Sequence, residues 1–261
     1  MSAVDDFLGA EDSPREELRD EILAAIYYHE RNRPRSLQQH LGPSEAGVEC
    51  DRQLAHKIAG SPEINGDGDP LPSMIGTSMH TTMEDVAEKW NEHHYGGQKI
   101  WLPENKVKTP IPGTSDLYHV KRRTVIDWKF PGATRFKHYV EHGPSKQYRE
   151  QVHLYGLGME DEGYEVEFVA IMFIPRAGRL RSSHLWMEPY DRQRALRTAE
   201  RIANIAIVVE ALDVKNDPTL IQKVFKASPS DDCTFCPWFS PAAEGPHECC
   251  GVAGEPNEEL R

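Results

Sequence analysis

Pro112-Gly113-Thr114-Ser115-Asp116-Leu117-Tyr118-His119-Val120, then Lys121-Arg122-Arg123, then Thr124-Val125-Ile126-Asp127-Trp128-Lys129, is the stretch whose reading decides the fold. Two short apolar-flanked runs separated by a basic turn predict a pair of antiparallel strands. Asp127 and Lys129 are two apart, so both side chains project from one sheet face, while Trp128 points away and leaves its carbonyl available. Asp116 follows a glycine that permits a sharp bend or close backbone approach, and antiparallel pairing places it near Asp127. Burying two carboxylates together is costly unless a cation compensates, and Mg²⁺ or Mn²⁺ does so with oxygen ligands. A bare Asp-x-Lys is also a common surface salt bridge, so the reading depends on what surrounds it.

Working outward, residues 98 to 130 read as three antiparallel strands, and Pro144 to Met159 as a helix with Gln151 and Tyr155 four apart on one face. Upstream, Ser73 to about His93 predicts a long helix. Ile75, Met79, Val86 and Trp90 form its expected buried stripe, and Gly76, His80, Glu84 and Ala87 the adjoining one. Ser44 is expected to cap a helix that ends near Ala59, stopped by Gly60, with Cys50, Leu54 and Ile58 on one stripe. Ser13-Pro14-Arg15-Glu16 has a capping-box pattern, predicting a helix to about His29 with Leu18, Ile22, Ala25 and Ile26 inward. Downstream, Tyr164 to Ile174 predicts an apolar strand, Arg181 to Met187 a weaker one, and Tyr190 to Leu212 a long helix. Residues 1 to 12 and 252 to 261 read as frayed or disordered, and Arg31 to Arg35 as a linker.

The chain has 261 residues and a net charge of −12, which argues against a nucleic-acid partner until the distribution is considered. Lys121 to Tyr155 holds eight basic residues (Lys121, Arg122, Arg123, Lys129, Arg135, Lys137, Lys146, Arg149) against three acidic ones. A local basic face supplies phosphate contacts even on an acidic protein, although a solvated charged surface would look the same. No apolar run approaches the ~18 residues of a membrane span. Met1 to Ala10 lacks the basic and apolar regions of a secretory signal, which sets the expectation of a cytoplasmic protein.

Gly76-x3-His80, Gly113-x2-Asp116, Ile126-Asp127-x-Lys129 and Gln151-x3-Tyr155, in that order, resemble the four motifs of RecB-like nucleases in the PD-(D/E)xK superfamily. The resemblance spans about residues 44 to 250. It implies an α/β (α+β) restriction-endonuclease-like core, a central mixed sheet flanked by helices. It further implies that His80, Asp116, Asp127 and the Trp128 carbonyl bind Mg²⁺ or Mn²⁺. Lys129 becomes the catalytic lysine, and Gln151 and Tyr155 shape the site and hold DNA. Arg122, Arg123, Arg135, Lys137, Lys146 and Arg149 are the candidate DNA contacts.

Five cysteines at 50, 233, 236, 249 and 250 form a poor disulfide framework and a better ligand set. Cys233-x2-Cys236, one of Cys249 or Cys250, and Cys50 from the other end of the chain could supply four thiolates to Zn²⁺ or an iron–sulfur cluster, with His247 as a substitute. This arrangement resembles the iron–sulfur branch of the RecB-like nucleases, comprising CRISPR-associated exonucleases and the nuclease domain of the AddB helicase subunit, and implies a [4Fe–4S] cluster. The insertion of Pro237 to Glu248 before the last ligand departs from that branch and keeps zinc open.

The expected organisation is an N-terminal helical extension (1–43), a nuclease core (44–230), a cysteine-rich segment (231–250) and a tail (251–261). The expected activity is that of a metal-dependent DNA exonuclease on single strands or ends. Its setting would be recombination or other DNA processing, or CRISPR spacer acquisition beside an adaptation complex. The competing reading is a cluster-stabilised DNA-binding protein with a degenerate nuclease fold.

Overall fold

The computed structural model describes residues 14–32, 41–65, 69–108, 110–214, 216–228 and 231–251. The expected frayed start, the tail from Val252 and most of the Arg31–Arg35 linker lie outside them. The chain divides into two compact units: Met1–Gln39 with Asp69–Met74, and His40–Gly68 with Ile75–Arg261. In the first, α1 (Pro14–Arg31) forms where the capping-box pattern predicts a helix. Its apolar stripe is not turned inward, however: Leu18 is 56 % exposed, and Ile22 and Ile26 are exposed as well.

The second unit is built on one sheet. β1 (Trp101–Val107), β2 (Gly113–His119), β3 (Thr124–Lys129), β4 (Phe168–Phe173) and β5 (His184–Pro189) lie side by side in sequence order. The β1–β2, β2–β3 and β4–β5 pairs are antiparallel, as the hairpin reading predicts for the first three strands. β3 and β4 are parallel, with Asp127 beside Ile171 and Lys129 beside Phe173. Parallel neighbours need a long crossover, supplied here by two helices, α5 (Ala133–His142) and α6 (Lys146–Asp161). The sheet is therefore mixed and flanked by helices, the α/β class expected.

α6 is the helix around which the core closes. Every residue from Glu150 to Met159 is buried, so it has no solvent face in that stretch. Val152, Tyr155 and Met159 join Val125, Val169, Ile171 and Phe173 of the sheet in one apolar cluster. Leu154, on the opposite side, belongs to a second cluster with Ile202, Ile205 and Val209 of α7 (Arg192–Ala211). Gly156 allows this close layering, because a Cβ there would stand 2.6 Å from the Tyr190 ring.

Several expectations require correction. The single helix expected from Ser44 to Ala59 is two, α2 (Pro43–Ala46) and α3 (Asp51–Ala59), and Gly42 rather than Ser44 caps the first. The break at Gly47 lets the α6 start pass against it, since a Cβ on Gly47 would meet the Gln147 backbone at 2.5 Å. Cys50 consequently leaves the expected apolar stripe and caps α3, while Gly60 ends that helix at φ 64° as expected. In the long helix α4 (Leu71–Tyr95), Val86 and Trp90 are exposed and Ala87 and Asn91 are buried. On the face of Gly76, His80, Glu84 and Ala87 the first three are half-buried and Ala87 is fully buried, and Asn91, one turn on, holds the start of β1 by accepting from the Ile100 and Trp101 amides. α5 was not anticipated: its sequence, Ala-Thr-Arg-Phe-Lys-His-Tyr-Val-Glu-His, is short and buries only Tyr139 fully. The segment 220–224 adds a last short helix, α8 (Leu220–Val224). No described helix is long and apolar enough to cross a membrane.

Candidate active site

The register of β2 against β3 pairs Leu117 with Ile126 and so brings Asp116 beside Asp127. Asp116 is fixed by the Trp128 backbone amide, which donates to its Oδ2 at 2.8 Å. His80 reaches the other oxygen from α4, its Nδ1 3.3 Å from Asp116 Oδ1. Asp127 is only 1 % exposed and lies 2.7 Å from Lys129 Nζ through its Oδ2. Gln151 Nε2 donates to Asp127 Oδ1 at 2.9 Å and to the Tyr155 hydroxyl at 3.5 Å. His80, Asp116, Asp127, Lys129, Gln151 and Tyr155, drawn from two strands and two helices far apart in sequence, thus meet at one place.

The electrostatics are those of crowded acids around one cation. Burial raises the Asp127 carboxyl well above the usual carboxylate range, Lys129 counters this, and Asp116 adds to it. Burial disfavours the charged forms of His80 and Lys129, but the neighbouring carboxylates outweigh it and hold both above their ordinary values. The Lys129 ammonium also lies 4.7 Å from the centre of the Tyr148 ring, a cation–π contact that fixes its stem. Burial pushes the Tyr148 phenol up to about 12, so the ring offers Lys129 a neutral face.

Within the site, the buried Gln151 Oε1 has no hydrogen-bond partner among the described residues, and Asp127 Oδ2 is met only by the Lys129 ammonium at 2.7 Å. Unpaired buried acceptors are costly and call for a ligand. Carboxylate oxygens are the donors that suit Mg²⁺ or Mn²⁺, and the added imidazole favours the transition ion Mn²⁺ of the two, so the residues fit such an ion. The strands also bring in a residue that the motifs do not mark. His80, Glu104 and Asp116 present ligand atoms all within 4.8 Å of one another. Nothing in Pro103-Glu104-Asn105 sets Glu104 apart from an ordinary strand carboxylate. Glu84 belongs to the inward face of α4 but not to this group.

The basic residues divide. Arg122 and Arg123 sit at the start of β3, the opposite end from Lys129, and Arg123 pairs with Glu165 and Glu167. Arg149 pairs with Glu188, which also accepts from His153. Lys146 pairs with Glu49, and Lys137 with Glu141. Arg135, on the α5 helix that follows the Lys129 end of β3, lies over the ring of Phe235, which is 75 % exposed.

The cysteines from both ends of the chain come together. All five are free thiols. Arg52 donates to Cys249 Sγ at 3.6 Å and to the carbonyls of Gln222 and Phe225, and the Ser228 amide donates to Cys50 Sγ at 3.4 Å. Burial pushes the Cys236 thiol up to about 11, with Cys50, Cys249 and Cys233 close enough to add to it. Of the adjacent pair, Cys249 meets Arg52 and bears on Cys236. His247 lies instead against His56, ring centres 6.2 Å apart.

No family model matches the sequence, and no curated protein matches it. Among solved structures the chain is similar to an alkaline exonuclease (LHK-Exo) from Laribacter hongkongensis, at 13 % identity and a TM-score of 0.46, over 71 % of this chain and 95 % of that one. The same exonuclease in complex with dAMP gives 14 % identity and 0.46 over the same shares. A phage-related exonuclease from Haemophilus somnus 129PT gives 14 % and 0.41, over 67 % of this chain and 96 % of that one.

Proposed function

We propose that the chain is a divalent-metal-dependent DNA exonuclease, acting on single strands or strand ends. The observation that carries this reading is the convergence of His80, Asp116, Asp127 and Lys129, with Asp127 buried and ion-paired to Lys129 and Asp116 ion-paired to His80. His80, Asp116, Asp127 and the Trp128 carbonyl would hold Mg²⁺ or Mn²⁺, which supplies charge neutralisation of the scissile phosphate and acidification of water when bound. Asp116 is oriented by the Trp128 amide and Asp127 by Gln151, so each acid keeps one oxygen directed at the centre. Lys129 stays protonated and places its ammonium where negative charge builds during phosphoryl transfer. Tyr155, buried behind Gln151, keeps the amide from turning away.

Single strands suit the surface near α5. An exposed aromatic ring beside a guanidinium, as in Phe235 and Arg135, is the usual platform for stacking an unpaired base. Cys50, Cys233, Cys236 and Cys249 would hold a [4Fe–4S] cluster, with zinc as the alternative metal. The donor set fits either, and Arg52 donates a hydrogen bond to Cys249 Sγ at 3.6 Å. The same chemistry serves recombination, other DNA processing, and spacer acquisition in a CRISPR adaptation complex.

The test is digestion of end-labelled single- and double-stranded DNA with Mn²⁺ by wild type, Lys129→Ala and Asp127→Asn. Losses of at least ~10³-fold with unchanged circular dichroism are expected for both variants. Full activity in Asp127→Asn would refute the assignment. DNA binding by a wild-type protein that never cleaves would favour the degenerate-nuclease reading instead.

A further inference from the structure

Glu104 has an unusual backbone. It lies inside β1 at φ 48°, in the left-handed region, and it is not a glycine. The ladder holds on both sides of it, Pro103 against Leu117 and Asn105 against Ser115, so no residue has been inserted and the distortion stays at one position. Such a conformation is unfavourable for a residue with a Cβ, and it persists only where the surroundings impose it. What stands across the strand is Asp116, and like charges directly opposite on paired strands repel. Glu104 is nevertheless turned so that its carboxylate, the Asp116 carboxylate and the His80 imidazole fall within 4.8 Å of one another. Donor atoms sharing one octahedral cation stand about 3 to 4.2 Å apart, so a small side-chain rotation brings all three onto a single ion. Asp127, 1 % exposed, stands on the neighbouring strand beside Asp116, and its Oδ2 is met by the Lys129 ammonium at 2.7 Å.

We infer that Glu104 is a direct ligand of the divalent cation, supplied by β1 through this left-handed backbone and acting with His80, Asp116 and Asp127. The inference rests on the nuclease reading for the identity of the site, and it adds a third carboxylate that the four sequence motifs do not contain. Glu104 balances the cation's charge and strengthens its binding before any DNA arrives, so its effect is measurable without catalysis.

The full-length protein is titrated with Mn²⁺ by isothermal calorimetry, without DNA, as wild type, Glu104→Gln, Glu104→Gly and Asp116→Asn. Glu104→Gln is expected to weaken Mn²⁺ binding by about 10- to 100-fold or more, a range already seen for groups that merely support metal ligands. Glu104→Gly removes the carboxylate and relieves the backbone. It should melt higher than wild type in EDTA, yet gain less midpoint on adding Mn²⁺. Wild-type affinity in Glu104→Gln, with binding lost in Asp116→Asn, overturns the role of Glu104 and leaves the nuclease centre standing. No Mn²⁺ binding by wild type, or undiminished binding in Asp116→Asn, overturns both.

Discussion

Gly76 is a position where helix propensity and the nuclease reading make opposite demands. It sits within α4, one turn before His80, where a glycine costs about 1 kcal/mol relative to alanine. Among the described residues a Cβ placed on it would meet nothing within 4 Å, so their packing does not require a glycine. On the nuclease reading the open space beside His80 is where the substrate strand passes. Gly76→Ala is therefore expected to raise the melting midpoint by about 2–4 °C while lowering the cleavage rate, and Gly76→Leu should lower the rate further. An unchanged rate in the leucine variant would show that no substrate passes there. Gly113 contrasts with it, since its Cβ would stand 2.6 Å from Pro43 Cδ and close packing alone explains the glycine.

At the scale of elements, α3 and the cysteine-rich segment are joined by a buried histidine. His56 is fully buried, its ring stacked on Trp238 at 5.3 Å and its Nδ1 3.0 Å from Ser61 Oγ. Burial, and then the charges of His247 and Arg52, lower its pKa to about 4. In the unfolded chain it titrates near ~6.5. Between these values the unfolded state binds the extra proton, so this contribution is complete above pH ~6.5 and is lost as pH falls towards 4. It amounts to at most about 3 kcal/mol. Urea unfolding followed from pH 7 to pH 4 should show that decline, and His56→Phe should flatten it. An identical pH slope in the two proteins would rule out His56 as its source. The strand elements were readable from alternation and turn residues, whereas α5 was not, because a short helix with one fully buried side chain leaves almost no periodic signal.

Across the whole molecule, the described cysteine-bearing parts bracket the sheet-and-helix core from both ends of the chain. Cys50 precedes α3, and Cys233, Cys236 and Cys249 follow α8, with Arg52 tying the two regions through Gln222, Phe225 and Cys249. A metal group held by these thiols would contribute its binding energy to folding. Cys236→Ala is expected to lower the melting midpoint by about 10 °C and to release the bound metal. Absorption near ~400 nm with iron in the wild type would identify a cluster, and a colourless zinc-loaded protein would replace it with zinc. An unchanged midpoint in Cys236→Ala would mean that hydrogen bonds alone close the clip.

What the sequence by itself determined was the hairpin geometry of β1 to β3 and the shared face of Asp127 and Lys129, because a two-residue repeat settles the side of a strand locally. Tertiary structure alone decided the rest. The parallel pairing of β3 with β4 depends on a crossover, and the burial of α6 on both sides depends on layers contributed from distant segments. Neither the pairing of Arg123, Lys146 and Arg149 with acids nor the contact of Arg52 with Cys249 is visible until those segments meet. The same holds for Glu104: its left-handed backbone and its place beside His80 and Asp116 join two strands and a helix, and no local pattern in any one of them encodes that.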